Sequence, residues 1–410
     1  MLFALSSLAA VTALLSQAQP APANVFARRV SGIRAVADAA WAESYDKFNT
    51  DVAWVGMAYV IDPNTAVPAQ PVAYDHFVAS VPDAVRTVRT TTTRLDGERS
   101  EETVCFSSES GLDCDLDGSY SAEHSSGLKL AALLGGASEN ERIVIEHSLA
   151  TSDRERRRLL LSYDEESGEL TQVLLLVEGR RAVDEEAPPP NTAAHTSLYS
   201  LLGTWAGDAC MRSVSRASAA ATSGMGFGGG FGGSGRGRGG PKRGKAGGGA
   251  SDVRVAVFKA RLSYAWDGDT VVARQLEATS FGETDTAQPT ATIRGVGELR
   301  TERGEWSDYE SIAFPADASK PVLLLLPASC HVLAPTRLPP SRGASDAFPF
   351  STEFGALLEP GEGFGWRGYQ EETGSAEDDE NDAMRLVRIQ RLYDESGAYV
   401  SGTTSLCSEE

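Results

Sequence analysis

From residue 52 onward, apolar and polar positions mostly alternate with period two. The stretch 84–94 (AVRTVRTTTTR) is rich in β-branched residues and alternates along its length. The segments 102–108 (ETVCFSS), 142–150 (RIVIEHSLA), 157–163 (RRLLLSY) and 170–178 (LTQVLLLVE) follow, separated by the turn formers LDGE, SESG, LDGS and EESG. This pattern predicts short antiparallel strands in a sheet closed on itself or stacked on another. After residue 197 the same grammar resumes and runs from LYSLLGTWAGDACMR to the closing MRLVRIQRLYDESGAYVSGTTSL. A helix is predicted over 30–50, where Ile33, Val36, Ala40, Trp41 and Tyr45 fall near helical spacing. A second short helix or irregular segment is expected over YDHFVASV, residues 74–81.

Punctuation divides the chain. Three consecutive prolines within 183–197 read as a linker, leaving a first domain over 30–182 and a second over 198–410. Two segments of the second half offer no apolar face and are expected to be disordered. Residues 222–250 hold fifteen glycines, five cationic residues and no acid, and 371–382 is an acidic loop with seven carboxylates and no base. GRGRGG within the first segment is similar to an RNA-binding arginine–glycine box, but a short basic insert in an acidic protein reads first as a flexible loop. Each half opens with Trp-x-Gly (Trp54 and Gly56; Trp205 and Gly207) and closes with an arginine five residues before a Tyr-Asp turn (Arg158 and Tyr163; Arg388 and Tyr393). Two tandem copies of one domain account for that correspondence.

A length of 410 residues accommodates two cores. The formal net charge of −20 disfavours nucleic acid and anionic membrane as partners. Residues 1–23 read as a signal or targeting segment whose apolar run, ending at Leu15, is too short to span a bilayer. Arg28 and Arg29 in an acid-poor stretch just after it fit a two-part plastid address, with secretion as the alternative. No later run is long enough for a spanning helix, so the mature chain is expected to lack one. Among five cysteines, Cys105 and Cys114 flank a turn and are candidates for a disulfide across a hairpin, the alternative being two free thiols.

The GTWAG at 203–207 resembles the Gly-x-Trp that opens lipocalins and the wider calycin superfamily. The second half is similar to a lipocalin-like family of undefined function from cyanobacteria and photosynthetic eukaryotes, related to the S-type phycobiliprotein lyases. The first half departs from the motif, with Val52 where glycine would stand. The resemblance implies a mainly β protein of two tandem antiparallel calycin barrels. It also implies that an arginine from a late strand packs over the opening tryptophan, Arg388 over Trp205 and Arg158 over Trp54, with Gly203 completing the motif.

Catalytic signatures are absent: there is no G-x-S-x-G, no H-E-x-x-H and no phosphate loop, and no catalytic or metal-ligating residue is assigned. Cys330 and His331 are adjacent and should point to opposite faces of a strand. The run VLLLLP reads as a cavity wall or as a strand buried on both sides. Asp208 and Arg212 are candidate ligand contacts, the arginine meeting an acidic group if their face of the strand is internal. The expected function is non-catalytic carriage of a hydrophobic small molecule, with a tetrapyrrole as one candidate. The alternatives are a bilin lyase or chaperone that delivers a chromophore to a protein cysteine, and an interaction scaffold with filled barrels.

Overall fold

The computed structural model describes residues 45–81, 87–106, 112–115, 117–124, 133, 142–152, 154–181, 195–215, 252–280, 291–304, 307–316, 319–339, 348–359, 383–395 and 397–410. The targeting segment, most of the helix predicted over 30–50, most of the linker, the glycine-rich insert and the acidic loop lie outside these residues. Of that helix, Tyr45 and the single turn α1 (Asp46–Asn49) are described. No described helix is long and apolar enough to cross a membrane.

The expectation of a mainly β, antiparallel protein with two barrel-like bodies in tandem holds. The first body contains β1 (Val52–Ile61), β2 (Val72–Ser80), β3 (Thr87–Arg94), β4 (Arg99–Cys105), β5 (Asp113–Cys114), β6 (Tyr120–His124), β7 (Arg142–Ala150), β8 (Glu155–Asp164) and β9 (Leu170–Arg181). They form one sheet in the order β4-β3-β2-β1-β9-β8-β7-β6-β5, a curled half-barrel. Its edge strands β4 and β5 do not pair, but Val104, Leu112 and Cys114 share a small apolar core with Tyr45, Phe106 and Tyr120.

The second body starts with the turn α2 (Leu198–Leu201) and closes completely. Its strands are β10 (Gly203–Ser215), β11 (Asp252–Trp266), β12 (Val271–Ser280), β13 (Ala291–Arg303), β14 (Asp308–Ala313), β15 (Pro321–Leu326), β16 (Cys330–Pro335), β17 (Phe350–Leu358), β18 (Arg385–Tyr393) and β19 (Tyr399–Glu409). Each pairs with its sequence neighbour, and β19 returns to β10, so no edge is left.

One local reading changes and two open ones are decided. YDHFVASV is strand: Tyr74, His76 and Val78 are buried and Phe77 is exposed, a period of two disguised because a histidine occupies a buried position. Cys105 and Cys114 are free thiols, because β4 pairs with β3 and β5 with β6, at opposite edges of the sheet. VLLLL is a strand buried on both sides: Leu323 and Leu325 pack in the filled end of the barrel, while Val322, Leu324 and Leu326 face the first body.

The paired signatures have a geometric basis. At Gly56 an added Cβ would press on the Val177 carbonyl oxygen of β9, and at Gly207 on the Leu406 carbonyl oxygen of β19. Each glycine admits the last strand of its own sheet. The β8–β9 and β18–β19 hairpins shift register at the same place, after Ser162 and after Leu392. Their turns carry Gly168 and Gly397 at φ +72° and +71°.

The outer face of the barrel and one face of the half-barrel form a common core. Leu159, Leu161, Tyr163, Val173 and Leu175 pack there with Leu324, Val332, Phe354, Ile389 and Tyr393. Polar links cross the same boundary. The Tyr163 hydroxyl donates to the Pro335 carbonyl (3.2 Å), Arg157 donates to the Leu357 carbonyl (3.2 Å), and the His147 ring bonds to the Thr352 hydroxyl (3.0 Å).

Candidate functional site in the closed barrel

Alternation decides what each barrel strand shows to the lumen. On β10 the inward residues are Trp205, Ala209 and Met211. On β18 Leu386, Arg388, Gln390 and Leu392 point inward, whereas Val387, Ile389 and Tyr393 lie in the core shared with the first body. One end of the lumen is filled. Leu198 and Leu201 of α2 pack there with Trp205, Leu262, Leu325 and Leu386, and Trp205 Nε1 donates to the Leu201 carbonyl (3.0 Å).

Beyond this plug the lumen is hollow, with a cavity of about 60 Å³. Met211, Phe258, Leu276 and Ile293 make one wall apolar, and Gln390, Ser401, Thr403 and Ser405 make the other polar. Arg388 stands where cavity and plug meet.

Arg388 belongs to a buried ionic cluster. Its Nη2 donates to Glu353 Oε2 (2.6 Å), and Arg274 Nη2 donates to the same oxygen (2.6 Å). Arg274 Nε reaches the Tyr264 hydroxyl at 3.2 Å. His331 Nε2 lies 3.7 Å from Glu353 Oε1. Burial alone would raise the Glu353 carboxyl, but the guanidiniums of Arg274 and Arg388 outweigh it and hold the group well below the usual carboxylate range. Burial pushes His331 down, toward the neutral ring. Two guanidiniums thus face one carboxylate. Among the described residues neither cation pairs with a second acid, so the cluster keeps a surplus positive charge. Arg388 Nε is buried and has no acceptor. Cys330, on the opposite face of β16, lies in the shared core, as alternation predicts.

The expected contacts of the opening tryptophans need correction. Arg388 does not cover Trp205. It lies level with Ser405 and through it with Ala209, four residues along β10 from Trp205, and the β18 residue that shares the tryptophan's core is Leu386. In the first body a guanidinium does lie on the tryptophan, 3.9 Å from the Trp54 ring, but it belongs to Arg156. Arg158, two residues on, pairs with Glu146 (2.8 Å) and Glu178 (3.2 Å). Gly203 opens β10 at φ +118°.

Asp208 and Arg212 are not lumen residues. They share the outer face of β10, where Arg212 pairs with Asp113 (3.0 Å) and Asp115 (2.8 Å) of the first body. Arg212 is a link between the bodies. Register along β10 puts both on the face opposite Trp205, and the fold shows that the tryptophan's face is the internal one. Arg274, Glu353 and His331 were not singled out as a group. They come from three separate strands, and only barrel closure brings them to Arg388.

No family model and no curated protein matches the sequence. Among solved structures, the chain is similar to a crystal structure of a protein of unknown function from the DUF3598 family of Nostoc punctiforme. The TM-score is 0.54 at 16% identity, over 90% of this chain and 99% of the other. That likeness extends across both bodies and concerns the fold.

Proposed function

We propose that this chain is a non-catalytic binding protein that carries a small, largely hydrophobic molecule in the lumen of the closed barrel. One observation carries the reading: the lumen is plugged at one end yet hollow beyond, with an apolar wall facing a polar one across the cavity. Sites of this kind hold an apolar body by burial and orient it with few polar groups. The size constrains the cargo. About 60 Å³ is room for a few waters or a short aliphatic chain. A tetrapyrrole, and hence chromophore delivery to a protein cysteine, needs a lumen several times larger and requires the barrel to open. A plastid destination is part of the proposal, from the N-terminal address.

The small cavity favours one second reading, a filled barrel serving as an interaction scaffold. Native mass spectrometry of protein from its own cells separates the two. An adduct released on denaturation supports the carrier. An unliganded mass, together with no heat of binding for short apolar probes, supports the scaffold.

A further inference from the structure

Building on the carrier reading, we infer that the cargo is an amphipathic monoanion, a short aliphatic chain ending in one carboxylate, with its acid group on Arg388 and its chain along the Met211–Phe258–Leu276–Ile293 wall. The location follows from the cavity. Arg388 lines its inner end, 3% exposed, and its buried Nε–H has no acceptor among the described residues. A guanidinium donor left bare in the interior is costly, and an incoming acceptor recovers that cost.

The charge of the ligand follows from counting. Arg274 and Arg388 share Glu353, whose Oε2 accepts from both, so one positive charge is unbalanced where every member is at most 4% exposed. A neutral acceptor would satisfy the hydrogen bond and leave the charge. A single anion satisfies both, whereas a dianion would restore an imbalance of opposite sign. Size and polarity complete the description. Ser405 stands level with Arg388 at the acid end, Gln390, Thr403 and Ser401 continue the polar wall away from it, and the facing wall has only carbon and sulfur to offer.

The test uses three probes of one length on the full chain: hexanoate, 1-hexanol and hexylamine, by isothermal titration calorimetry at pH 7.5. Hexanoate should bind about tenfold or more tighter than hexanol, the scale of one charge-assisted hydrogen bond in a buried site, and hexylamine should bind weakest. Arg388→Gln should abolish the preference for hexanoate and retain hexanol binding, which also reports an intact lumen. Arg212→Gln, on the outer face, should leave the ratio unchanged. Equal binding of hexanol and hexanoate, in wild type, overturns the inference and leaves the carrier reading standing. Absence of binding by all three removes both.

Discussion

At the residue scale, the first body shows how a tryptophan can be held by charge. Arg156 lies on the Trp54 ring, donates through Nε to Glu178 (2.6 Å) and through Nη1 to Asn49 (2.9 Å), and is 3% exposed. Removing Arg156 leaves Arg158 alone to balance both Glu146 and Glu178, so one buried carboxylate charge loses its compensation. Arg156→Met, which keeps the aliphatic stem, should cost about 3 kcal/mol or more by urea denaturation. Burial by itself would raise the Glu178 carboxyl, and Arg156 and Arg158 instead bring it down to about 2. With the folded value depressed below 4.5, its stabilisation is present above pH 4.5 and is lost as pH falls toward about 2. In Arg156→Met that acid-labile part should shrink, which stability measured between pH 5 and 2 would show. Beside the ring, Trp54 Nε1, Arg156 Nη2 and Ser148 Oγ are buried without partners around a cavity of about 20 Å³. That volume suits one water. A crystal structure of the protein should show one ordered water there, and an apolar, empty void would contradict the expectation.

At the element scale, the two closing hairpins carry the same device. Asp394 Oδ1 accepts from the Ala398 N–H and Asp164 Oδ1 from the Ser167 N–H, while Gly397 and Gly168 take positive φ. Gly397 has open space around it and Gly168 lies against the Leu338 carbonyl. Gly397→Ala should therefore cost about 1 kcal/mol, from backbone strain alone. Gly168→Ala should cost more, because the methyl group also presses on Leu338. Equal losses in thermal unfolding would show that the contact is relieved. The pairing pattern of β18 also explains why its alternation was readable: one face meets the lumen and the other meets the first body. Polar residues break the apolar rule on both sides: Arg388 and Gln390 next to the cavity, and Arg391 toward the first body, where it donates to the Ser121 hydroxyl (3.0 Å).

At the scale of the whole molecule, the shared core makes the bodies interdependent. Leu161, Leu175, Leu324 and Phe354, two from each body, are each 0% exposed in that core. Calorimetry should show one cooperative transition, and two resolved transitions would mean that the bodies unfold independently. The boundary is also where acid should act. His147, bonded to Thr352 of the barrel, is pushed down by burial to about 3. Its folded value lies below the ordinary 6.5, so the unfolded chain takes up a proton first, and stability falls as pH drops from about 6.5 toward 3. His147→Gln should reduce that slope by about 1.4 kcal/mol per pH unit. An unchanged slope would place the acid sensitivity elsewhere, for instance at the equally buried His76.

Period-two alternation, turn residues and the Trp-x-Gly and Tyr-Asp signatures by themselves determined that the chain is antiparallel β, where most strands lie, and which residues of β18 share a face. These are local properties, set by side-chain period and by backbone φ at turns. Alternation separates two faces but does not label them as lumen or exterior. Arg212 is therefore a ligand contact only if its face is internal, and its partners are Asp113 and Asp115 of the other body. Whether a sheet closes was equally hidden. The second body returns β19 to β10, while the first ends on the two-residue β5 and stays open. Only the tertiary structure could bring Arg274, Glu353, His331 and Arg388 together, because the charge they leave unbalanced depends on contacts between strands as much as 79 residues apart (274 to 353), which closure of the barrel creates.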